Sequence, residues 1–327
     1  MKSDSAGEPR KRPWSPLSAG DAARYRRFSD LVKPMNKTIY ALGFFDGVHI
    51  GHAALLRECR ALARRYGWQA GVVTFAAHPD TLVSGNTPKL INTLRDRERL
   101  LREWFGIDRV VTLPFDEPMR TMPWKEFLNL LIKEYGAAGF VCGEDFRFGY
   151  RGEGTGRMLY EAAEGRGFPS AVVPEQTIDG IRVSSTYIRR QIETGDMETA
   201  VRFLGHPHIL TGRVIHGHQL GRKLGIPTAN LRLPEGIVAP KFGVYACRAE
   251  VEGQTCLAVT NIGTRPTVEG HSVTVEPWIL DYDGDLYGRE ITLEFYRFLR
   301  PEMKFSDLEA LTQEIRRNAD QTRHLLG

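Results

Sequence analysis

The sequence predicts an α/β unit with an open parallel sheet, followed by a six-stranded antiparallel barrel with a terminal helix. Three observations carry this expectation. Between residues 38 and 174, short β-branched or apolar runs alternate with segments of helical periodicity, the pattern of βαβ units. After Gly205, short alternating runs follow one another with turns and no helices between them. The chain has 327 residues, 42% of them hydrophobic, enough for two cores at roughly 150 residues per domain.

In the first unit the expected strands are Thr38–Phe44, Gln69–Phe75, Arg109–Phe115, Gly139–Gly143 and Ser170–Pro174. Between them, Ala53 to Tyr66 carries Leu55, Leu56, Cys59, Leu62, Ala63 and Tyr66 at three- and four-residue spacing, an amphipathic helix. Leu94–Phe105, Trp124–Tyr135 and Thr155–Gly165 read the same way. Right-handed crossovers make such a sheet parallel, and its ligands bind beyond the carboxyl ends of the strands. Two further helical stretches, Tyr187–Glu193 and Met197–Leu204, lead to a seam near Gly205-His206-Pro207.

The second unit offers His208–Val214, Thr228–Leu233, Val244–Val251, Thr255–Ile262, Ser272–Leu280 and Glu290–Leu299, punctuated by turns such as Glu252-Gly253 and Asp283-Gly284. Closing these six strands into a barrel removes exposed edges. A last amphipathic helix, Ser306 to Leu326, is expected to start on a Ser306 cap and to pack Leu308, Leu311, Ile315 and Leu325 on the barrel. The expected domains are therefore 35–204 and 205–327, preceded by a disordered leader over 1–34.

Charge assigns that leader no chemistry. Residues 1–34 hold eight Lys or Arg and four Asp or Glu, so the whole net charge of +4 sits there and the rest of the chain is neutral. A solvated tail explains this without a nucleic-acid partner. Met35, directly before the first strand, is an expected start of translation. The four cysteines (Cys59, Cys142, Cys247, Cys256) lack metal or disulfide spacing and read as inert core residues. No apolar run has membrane-spanning or signal-peptide length, so a cytoplasmic location and no membrane partner are expected.

Three constellations carry chemistry. Gly43-Phe44-Phe45-Asp46-Gly47-Val48-His49-Ile50-Gly51-His52 lies between the first strand and the first helix. Gly47 and Gly51 allow a tight turn and close ligand approach, and the helix start aims N–H groups and its positive dipole end at the same place. Two histidines three residues apart add donors when protonated, an arrangement suited to attack on a nucleotide α-phosphate. Ser184-Ser185-Thr186-Tyr187-Ile188-Arg189 opens a later helix, where hydroxyls, N–H groups and Arg189 form either a cap or a second anion cradle. The third, Gly217 to Asn230, is Gly-rich and doubly basic and leads into a strand on which Thr228 and Asn230 share a face. It suits a polyphosphate with Mg²⁺, and equally a hairpin loop with a polar strand start.

His49–His52 resembles the HxGH signature of the nucleotidylyltransferase superfamily, and Ser184–Arg189 resembles the SSTxIR signature of its FMN adenylyltransferase branch. Thr74-Phe75 with His78-Pro79, Gly143-Glu144-Asp145-Phe146-Arg147-Phe148-Gly149 and Gly195-Asp196 are similar to the same branch. Gly221-Arg222-Lys223-Leu224-Gly225-Ile226-Pro227-Thr228-Ala229-Asn230 resembles the GRxLGxPTAN signature of riboflavin kinases, as do Asn261–Thr267 and Asp285–Gly288. Together the resemblances cover about residues 38–326 and match the bifunctional riboflavin kinase/FAD synthetases of prokaryotes.

The resemblance implies a Rossmann-like nucleotidylyltransferase domain and a riboflavin-kinase barrel, with ATP as co-substrate, riboflavin and FMN as partners, and Mg²⁺ at each site. It implies catalytic roles for His49, His52 and Arg189 in adenylyl transfer. Gly43, Phe45, Asp46, Gly47, Gly51, Asp145, Ser185 and Thr186 would bind nucleotide there. In the barrel, Gly221, Arg222, Lys223, Gly225, Pro227 and Thr228 would bind ATP, with Thr228 and Asn230 on the metal. Glu276, in Val275-Glu276-Pro277-Trp278, holds the general-base position, a carboxylate poised to accept the hydroxyl proton. Trp278 stands where many members have His, so no role is carried over to it. Phe295–Arg300 reads as a buried barrel strand. Two alternatives are a single-activity adenylyltransferase with a flavin-binding, non-catalytic barrel, and a flavin-sensing or RNA-binding regulator.

Overall fold

A computed structural model of the chain describes residues 37–216, 225–267 and 270–327. The expectations for the leader and for Gly221, Arg222 and Lys223 lie outside these residues. The first sheet is built from β1 (Thr38–Leu42), β2 (Gln69–Phe75), β3 (Arg109–Leu113), β4 (Ala137–Gly143) and β5 (Ser170–Val173), all parallel, in the order β3-β2-β1-β4-β5. The order reverses direction between β1 and β4, which opens a crevice at their carboxyl ends.

β1 shows why its sequence reads as a continuous apolar run. Tyr40 and Leu42 join the core beneath α3 (Trp124–Tyr135) and α4 (Gly156–Glu164), while Ile39 and Ala41 join the core beneath α1 (Ile50–Tyr66). A strand covered on both faces has no polar side to alternate with. The helix expected over Leu94–Phe105 is α-helical only as α2 (Leu94–Arg99). It widens into a π turn over Leu100–Trp104, where the adjacent Leu100 and Leu101 are both fully buried.

Two helices, α5 (Ser185–Thr194) and α6 (Met197–Leu204), lead into the second sheet. Its strands are β6 (His208–Arg213), β7 (Leu231–Arg232), β8 (Gly243–Val251), β9 (Gln254–Thr267), β10 (Gly270–Ile279) and β11 (Glu290–Arg300). All pairings are antiparallel, in the order β6-β11-β8-β9-β10-β7. A single bridge from Ile215 to Asn230 brings the end strands together, giving a nearly closed barrel. β7 is far shorter than the expected Thr228–Leu233, because Thr228 and Asn230 pair only through isolated bridges, to Trp278 and Ile215.

The barrel interior (Tyr245, Cys247, Val275, Leu293, Phe295) forms one continuous core with Ile188, Ile192, Phe203 and Leu204 of α5 and α6. The last helix, α7 (Leu308–Leu326), corrects two expectations. Its cap is Asp307, whose Oδ1 accepts the Ala310 N–H at 2.8 Å, and not Ser306. Leu308 and Leu325 are exposed, and the buried face consists of Asn318, Ala319 and Thr322. Arg300 donates to Asn318 Oδ1 at 3.0 Å, so a polar contact joins the apolar one that Ala319 makes with Val244, Val259 and Leu280, while Leu311 and Ile315 are half-buried.

Candidate active sites

The crevice of the parallel sheet holds a cavity of about 430 Å³. Gly43, His49, Gly51, His52, Asp145, Ser185, Thr186 and Arg189 line it, so the two distant motifs of the first unit meet there. The turn that delivers the histidines is left-handed at Phe45 (φ 60°), Gly47 (φ 79°) and Val48 (φ 42°). For the two non-glycines this costs about 1–3 kcal/mol each, and persists only where the surroundings over-determine the conformation.

His49 is the N-cap of α1, and its Nδ1 accepts the His52 N–H at 3.3 Å. The ring proton of the neutral imidazole therefore sits on Nε2, free to donate. The two rings stack with centroids 3.6 Å apart. Burial pushes His49 down to about 4, and burial together with His49 holds His52 well below its ordinary value. The sequence reading gave the pair extra donors when protonated; burial and stacking work against that form, because a desolvated pair poorly carries two charges. An anion beside the rings would act in the opposite direction, favouring the charged form.

Ser184 caps α5 by accepting the Tyr187 N–H. Ser185 Oγ donates to Asp46 O at 2.9 Å, and Arg189 donates to Ser185 O and Lys89 O, both at 3.2 Å. Phe45, Asp46 and Gly47 do not line the cavity. The left-handed turn carries their side positions into the protein, where Phe45 packs 5.0 Å from His52 and Gly47 lies against Ile91 and Leu204. Asp46, 4% exposed, accepts the Ile91 N–H at 2.8 Å, and burial raises its carboxyl to about 6. These three residues shape the loop from beneath. Asp145 is at the cavity but exposed, paired with Arg182 at 2.5 Å.

Two features escaped the sequence reading. An aromatic cavity of about 710 Å³ adjoins the first, sharing Phe75 and Phe146 and extending to Phe115, Met119 and Phe148. The Phe146-Arg147-Phe148 spacing was its only local signal. The other is Arg97, 1% exposed, which donates to Phe44 O and Phe75 O at the carboxyl ends of β1 and β2.

In the barrel, Gly225, Pro227 and Thr228 line a cavity of about 340 Å³ with Tyr282, Leu286 and Tyr287. Strand register supplies the rest of the site. Thr228 pairs with Trp278 and Leu231 with Val275, which sets Asn230 opposite Glu276, and Glu276 pairs on its other side with Asn261. Val275 and Ile279 point into the barrel core, so the row Asn230–Glu276–Asn261 lies on the outer face. Thr274 donates to Glu276 Oε1 at 3.1 Å. Asn230 is 7% exposed, and its Oδ1 has no hydrogen-bond partner among the described residues. A buried neutral oxygen awaiting a partner, beside the Thr228 hydroxyl, fits the donor set of Mg²⁺. Trp278 instead packs toward the core under α7 with Val259, Leu280 and Ala319.

The four cysteines are free thiols, three of them buried. No helix among the described residues is long and apolar enough to cross a membrane.

Comparison with known proteins bears on both cavities. A family model described as riboflavin kinase matches residues 204–326, and one described as FAD synthetase matches residues 32–187. A bifunctional riboflavin kinase/FMN adenylyltransferase of Listeria monocytogenes is 35% identical over 288 residues, covering 87% of this chain and 91% of that protein. One of Pseudomonas fluorescens is 38% identical over 284 residues, covering 86% and 90%. A crystal structure described as a macrolide-efflux protein from Streptococcus pneumoniae superposes with a TM-score of 0.80 at 29% identity, covering 90% of this chain and 96% of that one.

Proposed function

Because this chain belongs to the family of bifunctional riboflavin kinase/FMN adenylyltransferases, we propose that its two cavities divide the two reactions, adenylyl transfer in the parallel sheet and phosphorylation at the barrel. The chain phosphorylates riboflavin to FMN with ATP and adenylylates FMN to FAD, releasing pyrophosphate. Units 35–204 and 205–327 belong to the same reading, with 1–34 as a leader. The observation that carries it is the convergence of His49, His52, Ser185, Thr186 and Arg189 on one cavity, while Thr228, Asn230 and Glu276 share a different sheet.

In the first cavity an FMN phosphate oxygen attacks the α-phosphorus of ATP. His49 Nε2–H, the N-terminal N–H groups of α1 and α5, and Arg189 surround the phosphates and stabilise charge developing on oxygen. The adjoining aromatic cavity receives the isoalloxazine ring, whose flat apolar face suits Phe75, Phe146 and Phe148. Asp145 stands at the mouth, between nucleotide and flavin. In the barrel, Glu276 accepts the proton of the riboflavin 5′-hydroxyl as it attacks the γ-phosphorus. Gly221, Arg222, Lys223, Gly225 and Pro227 cradle the nucleotide. Thr228 and Asn230 hold Mg²⁺, which when bound neutralises phosphate charge. Neither step requires a protein nucleophile, so positioning and charge stabilisation carry the catalysis.

The free thiols suit a reducing compartment, and we assign the protein to the cytoplasm. Efflux, in the name of the streptococcal structure, is a property stated of that protein. The test is incubation of the purified chain with riboflavin, ATP and Mg²⁺, followed by chromatographic separation of the flavins. FMN followed by FAD is the expected result. Conversion of added FMN to FAD without phosphorylation of riboflavin would reduce the barrel to a binding module, and absence of both products overturns the reading.

A further inference from the structure

Arg97 does not line the cavity in which the histidines stand, yet two of that cavity's walls hang on it. Its two terminal nitrogens donate to Phe44 O at 2.7 Å and Phe75 O at 2.8 Å. The guanidinium carbon lies 4.4 Å from the centroid of the Phe44 ring, whose other neighbour is His78 at 4.6 Å. Phe44 O accepts a second bond from Thr74 Oγ1 at 2.8 Å. The next four residues include the left-handed Phe45, Gly47 and Val48, and after them comes His49.

A buried cation is costly unless its donors are satisfied. Here both terminal nitrogens are spent on backbone at the carboxyl edge of the sheet, on Phe44 directly before the strained turn and on Phe75 of the neighbouring strand, while Nε has no partner among the described residues. Lysine would not reproduce the contact, because only a planar fork reaches two carbonyls on neighbouring strands at once.

The element that carries Arg97 is itself anchored. Leu90 exchanges backbone bonds with the barrel connection, donating to Gly236 O at 2.7 Å and accepting from Val238 N at 2.8 Å. Ile91 turns the other way and donates to Asp46 Oδ1 at 2.8 Å. Farther on, Arg95 pairs with Glu290, and Arg99 pairs with Glu250 and donates to Thr292 Oγ1 at 2.6 Å. Arg97 thus reaches the catalytic loop from a support fixed on both sides.

We propose that Arg97 is a positioning residue for adenylyl transfer, holding the Phe44 and Phe75 carbonyls so that the left-handed turn presents His49 and His52 to the nucleotide. The inference rests on the reading that this cavity forms FAD. The same polypeptide supplies its own control, since riboflavin phosphorylation reports on a site built from other strands.

The experiment compares the full-length wild type with Arg97→Met and Arg97→Lys, measuring kcat and KM for FAD formation from FMN and ATP, and riboflavin phosphorylation in the same preparations. A displaced loop misaligns groups that act on the transition state. Arg97→Met is therefore expected to lower kcat for FAD formation by about 10- to 100-fold, with KM for ATP and the phosphorylation rate changed by less than about threefold. Arg97→Lys, which keeps the charge but not the fork, is expected to recover part of kcat. Unchanged kcat, or a raised KM with kcat intact, overturns the proposal. Should Arg97→Met lose phosphorylation too, Arg97→Lys decides: a selective fall in kcat for FAD formation supports the role, and wild-type kcat or joint loss of both activities refutes it. A wild type that forms no FAD from FMN fails the functional reading instead.

Discussion

His208→Leu is expected to make the protein more resistant to acid. His208 opens β6 with its side chain on the inward face of the barrel, shared with Leu210, beside Phe295 at a ring distance of 5.7 Å. It is completely buried, and neither ring nitrogen has a hydrogen-bond partner among the described residues. Burial, reinforced by nearby His206, pushes its pKa from 6.5 down to about 3. A histidine with a depressed folded pKa supports the fold above its unfolded pKa, and that support is lost as pH falls toward the folded value. Here the window runs from 6.5 to about 3.

With these two values, His208 withdraws about 2 kcal/mol of stability between about pH 7.5 and about pH 5. Leucine does not titrate and leaves no buried polar atom unpaired, so the variant should keep that 2 kcal/mol, on top of a gain of about 1 kcal/mol or more at the higher pH. Urea titrations followed by circular dichroism at the two pH values measure the difference of differences. Equal acid losses in wild type and variant would show that His208 is solvated or paired in the folded protein, and would refute the reasoning.

Substitutions at the two sites should separate the activities. His49→Ala or His52→Ala should lower FAD formation by about 10²–10³-fold while leaving riboflavin phosphorylation measurable, as read by chromatography of the flavins. Glu276→Ala should do the reverse, with phosphorylation falling about 10²–10⁴-fold, and Asn230→Ala should follow it. If any of these abolished both activities in a folded protein, the division of sites would be wrong. Asp46→Asn keeps an acceptor for the Ile91 N–H, but removes a carboxyl that burial raises from 3.8 to about 6. Because the raised group supports the fold only while protonated, the variant should gain about 2 kcal/mol on wild type from about pH 4 to about pH 7, measured by urea unfolding. Gly149 has φ 76°, and a Cβ there would lie 2.6 Å from the Trp124 backbone. Gly149→Ala should therefore deform the aromatic cavity and raise KM for FMN without affecting phosphorylation.

What could be read from the sequence was what is local. β1 to β5 and the six barrel strands announce themselves because each buries a face, or two, against its neighbours, and the resulting periodicity is written along the chain. The His49–His52 and Ser184–Arg189 motifs were equally legible, since a helix start places consecutive residues around one point. What failed depended on the third dimension. Arg97 is 53 positions from Phe44 and looks like an ordinary charge in an arginine-rich helix until the sheet brings the two together. Phe45 and Asp46 read as ligand contacts because they adjoin the histidines, but a left-handed turn reverses which way they face. Ser306 and Asp307 are both good caps, and only the helix axis chose between them. The buried Asn318 carries no local signal, because its partner is Arg300, on a strand that periodicity cannot pair with the helix.

The barrel's circumference explains why loss of the Arg95 and Arg99 contacts should act on only one reaction. The ion pairs and hydrogen bonds made by α2 fall on β11 and β8, where Glu290 and Thr292 meet Arg95 and Arg99 and Glu250 meets Arg99, and Ile209 of β6 joins the core of the parallel sheet, while Leu90 pairs with the connection that leaves β7. The row Asn230–Glu276–Asn261 uses β9, β10 and the residues leading into β7, which are the other half of the order β6-β11-β8-β9-β10-β7. A perturbation at Arg95 and Arg99 therefore meets strands that carry no part of that row. On the other side it meets α2, which grips the residues just ahead of the catalytic turn through Arg97. Arg95 and Arg99 thus tie the barrel to the element that carries Arg97 without touching the Asn230–Glu276–Asn261 row. Breaking Arg95 and Arg99 together should therefore slow FAD formation and spare FMN formation, and equal slowing of both would show that the barrel transmits strain around its full girth.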